Sequence, residues 1–148
     1  MTATAVVQRL LPASAEVVFD AWLNVSALTE FLCPDPARAA FVECDPRVGG
    51  RLRIVMAYPE STSEVLGEYL ELDRPRRLRF SWTPDGTFES VVTVDLEPQG
   101  AEQTLMTITH TLLPDELMQA YDEGWGAIVR HLAETFGRTP SSEVIAPT

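Results

Sequence analysis

The 148-residue sequence predicts one α+β domain, in which a curved antiparallel sheet of about seven strands surrounds a long C-terminal helix. Between Arg38 and Leu113, apolar and polar residues alternate, as they do in strands with one buried face. From Pro114 to Phe136 the apolar residues recur instead at helical spacing. Short turns rich in Pro and Gly divide the alternating region, which favours antiparallel hairpins over parallel crossovers.

A strand and two short helices are predicted at the start of the chain. The β-forming segment Ala5–Leu11 comes first, and Ser14 can then cap a helix with Glu16 in its first turn, where the helix dipole favours an acid. The second helix must end by Cys33 and Pro34, because the residue before a proline disfavours the helical conformation. The apolar face of the two helices consists of Val17, Val18, Ala21, Trp22, Val25, Leu28, Phe31 and Leu32.

Six further strands are expected in the alternating region. Leu78, Phe80 and Trp82 alternate with polar residues, so one side of their strand should face the core. The turns between strands are expected at Pro46–Gly50, Pro59–Thr62, Asp73–Pro75, Pro84–Gly86 and Pro98–Gly100. The two glycines of the first turn indicate a turn with positive φ and not a phosphate-binding loop, since no helix begins there.

The C-terminal helix is expected to run from Pro114 to about Phe136 and to stop at Gly137. Asp115 and Glu116 suit its first turn, where proline and acids are favoured. Its apolar residues fall within an arc of roughly 120°, so one face should be buried against the sheet. This face consists of Leu117, Met118, Tyr121, Trp125, Ile128, Val129, Leu132 and Phe136.

Composition bounds the class of protein. One domain over residues 1–137 is expected, followed by a mobile tail of residues 138–148 that lacks periodicity. Eleven basic and twenty-two acidic residues give a formal net charge of −11, which would repel nucleic acids and anionic membranes. No apolar run reaches the ~18 residues of a bilayer span, and no signal-peptide pattern opens the sequence. We therefore expect a cytoplasmic protein with neither nucleic acid nor membrane as partner.

Metal binding and covalent catalysis are not expected. Cys33 and Cys44 lie too far apart for a CxxC motif, and the two histidines do not complete a zinc signature. No serine or cysteine can be combined with a histidine into a nucleophilic set. The sequence therefore assigns no metal, no cofactor and no catalytic residue.

A curved sheet and one helix should diverge at one end and leave a cleft, which is a usual site for small molecules. The residues that we expect to bind a ligand there are Trp22, Phe31, Trp82, Met106, His110 and Trp125. Core packing is the alternative for the two tryptophans of the sheet and long helix, Trp82 and Trp125. For His110 the alternative is a structural hydrogen bond to a neighbouring strand or to the long helix.

Motifs along the chain support a family resemblance. They occur in the order Val17–Trp22, Asp45–Gly50, Gly67–Tyr69, Leu78–Trp82, Thr104–His110 and Gly124–Trp125. Together they resemble the SRPBCC (START-like) superfamily, specifically proteins similar to the C-terminal domain of the activator of Hsp90 ATPase. The resemblance implies the helix-grip fold. In one respect the chain departs from the family pattern, because Phe31 and Leu32 stand where a pair of tryptophans is usual.

The resemblance leaves several functions open, because relatives include ligand carriers, polyketide aromatase/cyclases and a co-chaperone. Our leading hypothesis is binding of a small hydrophobic or aromatic molecule. One alternative is a cyclase-type enzyme that uses His110 or Glu68 as acid or base. Another is an interaction module with an Hsp90-like chaperone partner and a role in stress response, although the co-chaperone has an N-terminal domain for which this chain has no room. A homodimer is also left open.

Overall fold

The computed structural model describes residues 2–34 and 36–137, and it confirms the predicted helix-grip architecture. The strands are β1 Thr2–Leu11, β2 Arg38–Cys44, β3 Arg51–Ala57, β4 Thr62–Asp73, β5 Arg77–Pro84, β6 Ser90–Pro98 and β7 Thr104–Pro114. The helices are α1 Ala15–Ala21, α2 Val25–Phe31 and α3 Met118–Gly137. The predicted tail, residues 138–148, lies outside the described residues.

All seven strands belong to one antiparallel sheet with the order β1-β7-β6-β5-β4-β3-β2. Strands β2 to β7 follow one another as hairpins, and β1 joins the sheet at β7. The pairing register shifts once in each of the pairs β1–β7, β2–β3 and β4–β5. Such bulges bend a strand and increase its twist, so they help the sheet to curl around α3.

The long helix starts later than the sequence predicts. Strand β7 runs through Pro114, whose φ of −59° and ψ of 137° are extended, and a 3₁₀ turn of Asp115–Leu117 precedes α3. The predicted helix start at Pro114 is therefore wrong by one turn, because proline suits an extended residue as well as a first helical one. The buried face of α3 is the C-terminal part of the predicted apolar arc and contains Trp125, Ile128, Val129, Leu132 and Phe136.

The two short helices begin at side-chain caps. Ser14 Oγ accepts from the backbone N–H of Val17 at 3.3 Å, and Asn24 Oδ1 accepts from that of Ala27 at 2.9 Å. Helix α2 packs against both β2 and α3. The segment that follows α2 therefore lies beside the long helix.

The turn between β2 and β3 has the conformation expected from its glycines. Gly49 has a φ of +86°, which glycine adopts without steric cost. Gly50 is confined for another reason, since a Cβ there would lie 2.1 Å from the carbonyl oxygen of Asp45. The pair is a tight turn, as predicted.

Candidate ligand-binding site

A cavity of about 200 Å³ lies between the start of α3 and the adjacent ends of β3, β4 and β5. From the sheet it is lined by Met56, Tyr58, Ser63, Val65, Trp82 and Pro84. From α3 it is lined by Ala120, Tyr121, Gly124, Trp125 and Ile128, and Pro34 closes the side next to α2. It is therefore found where the helix and the curved sheet diverge.

Small residues on α3 create the space. Ala120 and Gly124 are four residues apart, so both lie on one helical face above the same strand ends. Neither fills the gap with a large side chain. A Cβ on Gly124 would meet Pro34 Cβ at 3.6 Å, which is an ordinary contact, so the helix and the Pro34 segment are already close there.

Two indole rings form the inner wall of the cavity. The ring centroids of Trp82 and Trp125 lie 5.9 Å apart with a tilt of 49°. Trp82 Nε1 donates a hydrogen bond to Tyr121 Oη at 3.2 Å, and the ring of Phe88 makes an edge contact with Tyr121 at 6.2 Å. The orientation of these rings is therefore set by contacts between α3 and the β5–β6 region.

A buried chain of hydrogen bonds supports this wall from behind. Trp125 Nε1 donates to His110 Nδ1 at 2.9 Å. An accepting Nδ1 leaves the proton of a neutral imidazole on Nε2, which lies 2.8 Å from Ser90 Oγ and donates to it. Ser90 Oγ then donates to the carbonyl oxygen of Trp82 at 2.8 Å. The chain thus joins α3, β7, β6 and β5 and ends at the second tryptophan of the wall.

The lowered pKa of His110 agrees with its place in this series of hydrogen bonds. The side chain is fully buried, and burial lowers the pKa of the imidazole from 6.5 to about 3. The rings that surround it are aromatic, with Tyr121 at 5.0 Å and Trp125 at 5.8 Å. A neutral imidazole with both nitrogens in hydrogen bonds has the role of a structural link between the wall and the sheet.

Three of the residues that line the cavity carry hydroxyl groups, namely Tyr58, Ser63 and Tyr121. Burial raises the pKa of both tyrosines, so the phenols are protonated. Ser63 Oγ donates to Asp85 Oδ2 at 2.8 Å, and Asp85 Oδ1 accepts from the backbone N–H of Glu64 at 2.8 Å. One carboxylate is therefore held directly behind a hydroxyl that lines the cavity.

The structure divides the six residues that the sequence selects for ligand binding. Trp82 and Trp125 line the cavity, whereas the other four are not among the lining residues. Trp22 and Phe31 are fully buried and pack edge to face at 5.0 Å. Met106 and His110 lie on β7 and are fully buried, and His110 is bonded to Trp125 of the wall. Inward-facing positions thus separate into a cavity wall and a packed core behind it.

The sequence pattern does not select Tyr58, Ser63 or Tyr121 as ligand-binding residues. Tyr58 and Ser63 flank the β3–β4 turn, where alternation gives no information on which side chains reach a cavity. Tyr121 belongs to the predicted buried arc of the helix. The sequence feature that could have indicated this site is the pair of small residues Ala120 and Gly124. They flank Tyr121 on the face of the helix that covers the sheet.

The acidic residues considered for acid–base chemistry lie outside the cavity. Glu68 is exposed, and the partly exposed Glu71 faces Arg79 at 3.8 Å across the β4–β5 pair. Burial raises the pKa of Cys33 to about 11 and also raises that of Cys44, so both thiols are protonated. Within residues 2–34 and 36–137, no group of three or more His, Cys, Asp or Glu side chains is placed to hold a metal ion.

The match to a family model covers most of the chain. Residues 12–137 match the model described as activator of Hsp90 ATPase homolog 1-like protein, and the chain belongs to this family. Membership supports a ligand-binding fold in general terms and suggests either binding of a small molecule or a chaperone-like interaction. None of the curated proteins matches the sequence.

Solved structures agree with this assignment. A protein from Chromobacterium violaceum, solved by X-ray crystallography, is 27% identical in sequence. Its TM-score is 0.83 over 90% of this chain and 97% of that one. The AHSA1 protein of Silicibacter pomeroyi is 25% identical, with a TM-score of 0.79 over 91% of this chain and 98% of that one. A protein from Arthrobacter aurescens, solved by NMR, shares the fold. It is 21% identical, with a TM-score of 0.81 over 90% of this chain and 86% of that one.

In the part of the chain that the structure describes, no helix is both long and apolar enough to cross a membrane.

Proposed function

We propose that the protein binds a small, largely apolar molecule in the cavity between the sheet and α3. The observation that carries this proposal is an aromatic-walled cavity of about 200 Å³ at the place where helix and sheet diverge. This volume is below the roughly 300 to 1,000 Å³ usual for drug-sized ligands, whereas a cavity of about 150 Å³ holds benzene. The size therefore favours a molecule with one aromatic ring and a short substituent, or a compact bicyclic compound.

The chemistry of the walls supports binding over turnover. Among the residues that line the cavity, the titratable groups are the phenols of Tyr58 and Tyr121, whose pKa values are raised. A general base near neutral pH needs a pKa close to the working pH, which these phenols lack. His110 lies behind the wall, and both of its nitrogens are engaged with Trp125 and Ser90. A cyclase-type reaction would need an acid or base that reaches the ligand.

The test is a titration with benzyl alcohol, which does not emit in the range of tryptophan, followed by tryptophan fluorescence and by the thermal unfolding midpoint. Trp82 and Trp125 line the cavity, so a bound ring should change their emission. A ligand that binds only the folded state stabilises it by about 2.7 kcal/mol at a hundredfold excess over its Kd. We therefore expect a saturable fluorescence change together with a midpoint increase of several degrees.

Two glycines of α3 provide a matched control. Gly124 lines the cavity beside Pro34, whereas a Cβ on Gly126 would have open space around it, with no neighbouring segment within 4 Å. Gly124→Leu should abolish saturable binding, because the leucine side chain would fill the part of the cavity beside Pro34. Gly126→Leu should leave binding unchanged. Equal binding by both folded variants, or no saturable signal in the unsubstituted protein, would refute the proposal.

A further inference from the structure

The cavity wall is unusually rich in aromatic faces for its size. Four of the lining residues are aromatic, namely Tyr58, Trp82, Tyr121 and Trp125. The face of an aromatic ring carries partial negative charge and attracts a cation within about 6 Å of its centre, most strongly for tryptophan. A wall of two indoles and two phenols therefore suits a positively charged group as well as an apolar one.

The hydroxyl groups of the cavity lining can accept hydrogen bonds through their oxygen lone pairs. Ser63 Oγ gives its proton to Asp85, so the remaining lone pairs of that oxygen can accept a hydrogen bond. Tyr58 and Tyr121 also line the cavity, and Tyr121 Oη already accepts one hydrogen bond from Trp82 Nε1. An ammonium group has only donors, and it would find acceptors here together with the charge of Asp85 at hydrogen-bond distance behind Ser63.

The charged side chains near the cavity are mostly acidic. The lining residues Tyr58, Ser63, Pro84 and Tyr121 belong to the segments 58–63, 83–90 and 115–124, which contain no Lys or Arg. A basic residue does lie close by, because Arg38 on β2 pairs with Ala57, the neighbour of Tyr58. Their acidic residues are Glu60, Asp85, Glu89, Asp115, Glu116, Asp122 and Glu123. Nearby Glu64 pairs with Arg53, so that arginine is already engaged. Like charges around a cleft focus the field and raise the local concentration of oppositely charged ligands.

The dipole of α3 opposes this field but does not reverse it. The first turns of the helix line the cavity, and the positive end of the helix dipole would by itself favour an anion. Asp115 and Glu116, in the 3₁₀ turn before α3, offset that partial positive charge. A carboxylate ligand would thus meet mostly acidic side chains near the cavity, with Arg38 as the opposing charge.

From these observations we propose that the ligand of this cavity is a cationic amine, with its apolar body against Trp82 and Trp125 and its ammonium group near Ser63 and Asp85. The inference rests on the proposed function and narrows the ligand class. It also requires that anions of the same size be rejected. Long-chain carboxylates and phosphate esters are thereby excluded as ligands.

Three probes with the same ring separate charge from shape: benzylamine, benzyl alcohol and benzoate, titrated at low ionic strength and neutral pH. The amine should bind about three- to thirtyfold more tightly than the alcohol, the range expected for a cation over the phenol rings of Tyr58 and Tyr121. Benzoate should bind more weakly than the alcohol. The preference for the amine should fall as salt is added, because the rim charges are exposed and screened.

Asp85→Asn tests the carboxylate, and Glu97→Gln is its control. Asparagine tolerates the φ of +51° at position 85 and keeps an oxygen for the Glu64 N–H. Glu97 is an exposed acid seven residues along β6 from Ser90, roughly 23 Å away at strand spacing. Asp85→Asn should reduce amine affinity severalfold and leave the alcohol unchanged, while Glu97→Gln should change neither.

The outcomes are distinct for the two proposals. If the alcohol binds as tightly as the amine, or if Asp85→Asn and Glu97→Gln behave alike, the charge inference is overturned while binding in the cavity stands. If no probe of any charge binds, the proposed function itself fails.

Discussion

Trp125 Nε1 donates a hydrogen bond to His110 Nδ1 at 2.9 Å, which ties the cavity-facing part of α3 to strand β7. The bond defines the tautomer of His110, directs its other nitrogen to Ser90, and so couples both tryptophans of the cavity wall. Networks of buried polar groups that are fully satisfied favour one arrangement of the core. The wall of the cavity is therefore preformed by residues that do not line it.

Replacing Trp125 and Trp22 by phenylalanine should have unequal effects. Both substitutions remove the same atoms, but Trp22 Nε1 is buried without a hydrogen-bond partner among the described residues. Trp125→Phe additionally leaves His110 Nδ1 unsatisfied, which should cost about 1 to 3 kcal/mol more. Denaturant unfolding of the two variants measures the difference. Equal losses of stability would contradict the proposed contribution of the Trp125–His110 hydrogen bond to the free energy of unfolding.

Stability should fall as the pH is lowered from 6.5 towards 5, in part because of His110. Its pKa is about 3 in the folded protein and 6.5 as the reference value, so in this range the unfolded chain binds a proton that the folded protein does not. The expected contribution to the loss is about 1.5 kcal/mol. In His110→Gln this contribution should disappear, which unfolding curves at several pH values would detect. Parallel pH profiles for the two proteins would count against a buried neutral imidazole.

The packing of α3 predicts a large cost for truncating its buried face. Leu132 is 1% exposed, so Leu132→Ala should lower the free energy of unfolding by about 2 to 5 kcal/mol. Leu66 is 42% exposed on β4, and Leu66→Ala provides the surface control with a change of less than about 1 kcal/mol. Similar midpoints for both variants would show that the helix does not pack as described.

The protein should become more stable when Leu112 is replaced by glycine. It has a φ of +64° at the irregular pairing of β1 and β7, and its side chain is 51% exposed. The left-handed conformation costs an L-residue roughly 1 to 2 kcal/mol, so Leu112→Gly should raise stability by up to about 1 kcal/mol. Leu70, an exposed strand residue without positive φ, is the control, since Leu70→Gly should lower stability. A loss of stability in both variants would argue against strain at Leu112.

Most of the fold could be predicted from local patterns. Alternation in β5 places Leu78, Phe80 and Trp82 on the buried side, because strand period alone decides which face a residue occupies. The helix start could not be predicted in the same way. Pro114 has the φ that both a first helical turn and a strand end accept, so its ψ depends on the pairing of β7 with β1.

The candidate site could be predicted only in part. Periodicity indicates inward residues such as Trp82, Met106, His110 and Trp125, but whether each meets space or another side chain depends on packing between distant segments. Only the two tryptophans of these four line the cavity. Tyr58 reaches it from the end of a hairpin, for which the sequence pattern holds no signal.

The most direct test of the account is a crystal structure of the protein soaked with bromobenzene, with the bromine located by its anomalous signal. Bromobenzene is about the size that the cavity of about 200 Å³ should hold. We predict one bromine position in contact with Trp82, Trp125 and Tyr121. An empty cavity with the halogen bound elsewhere, or with those side chains collapsed into the space, would contradict a preformed binding site.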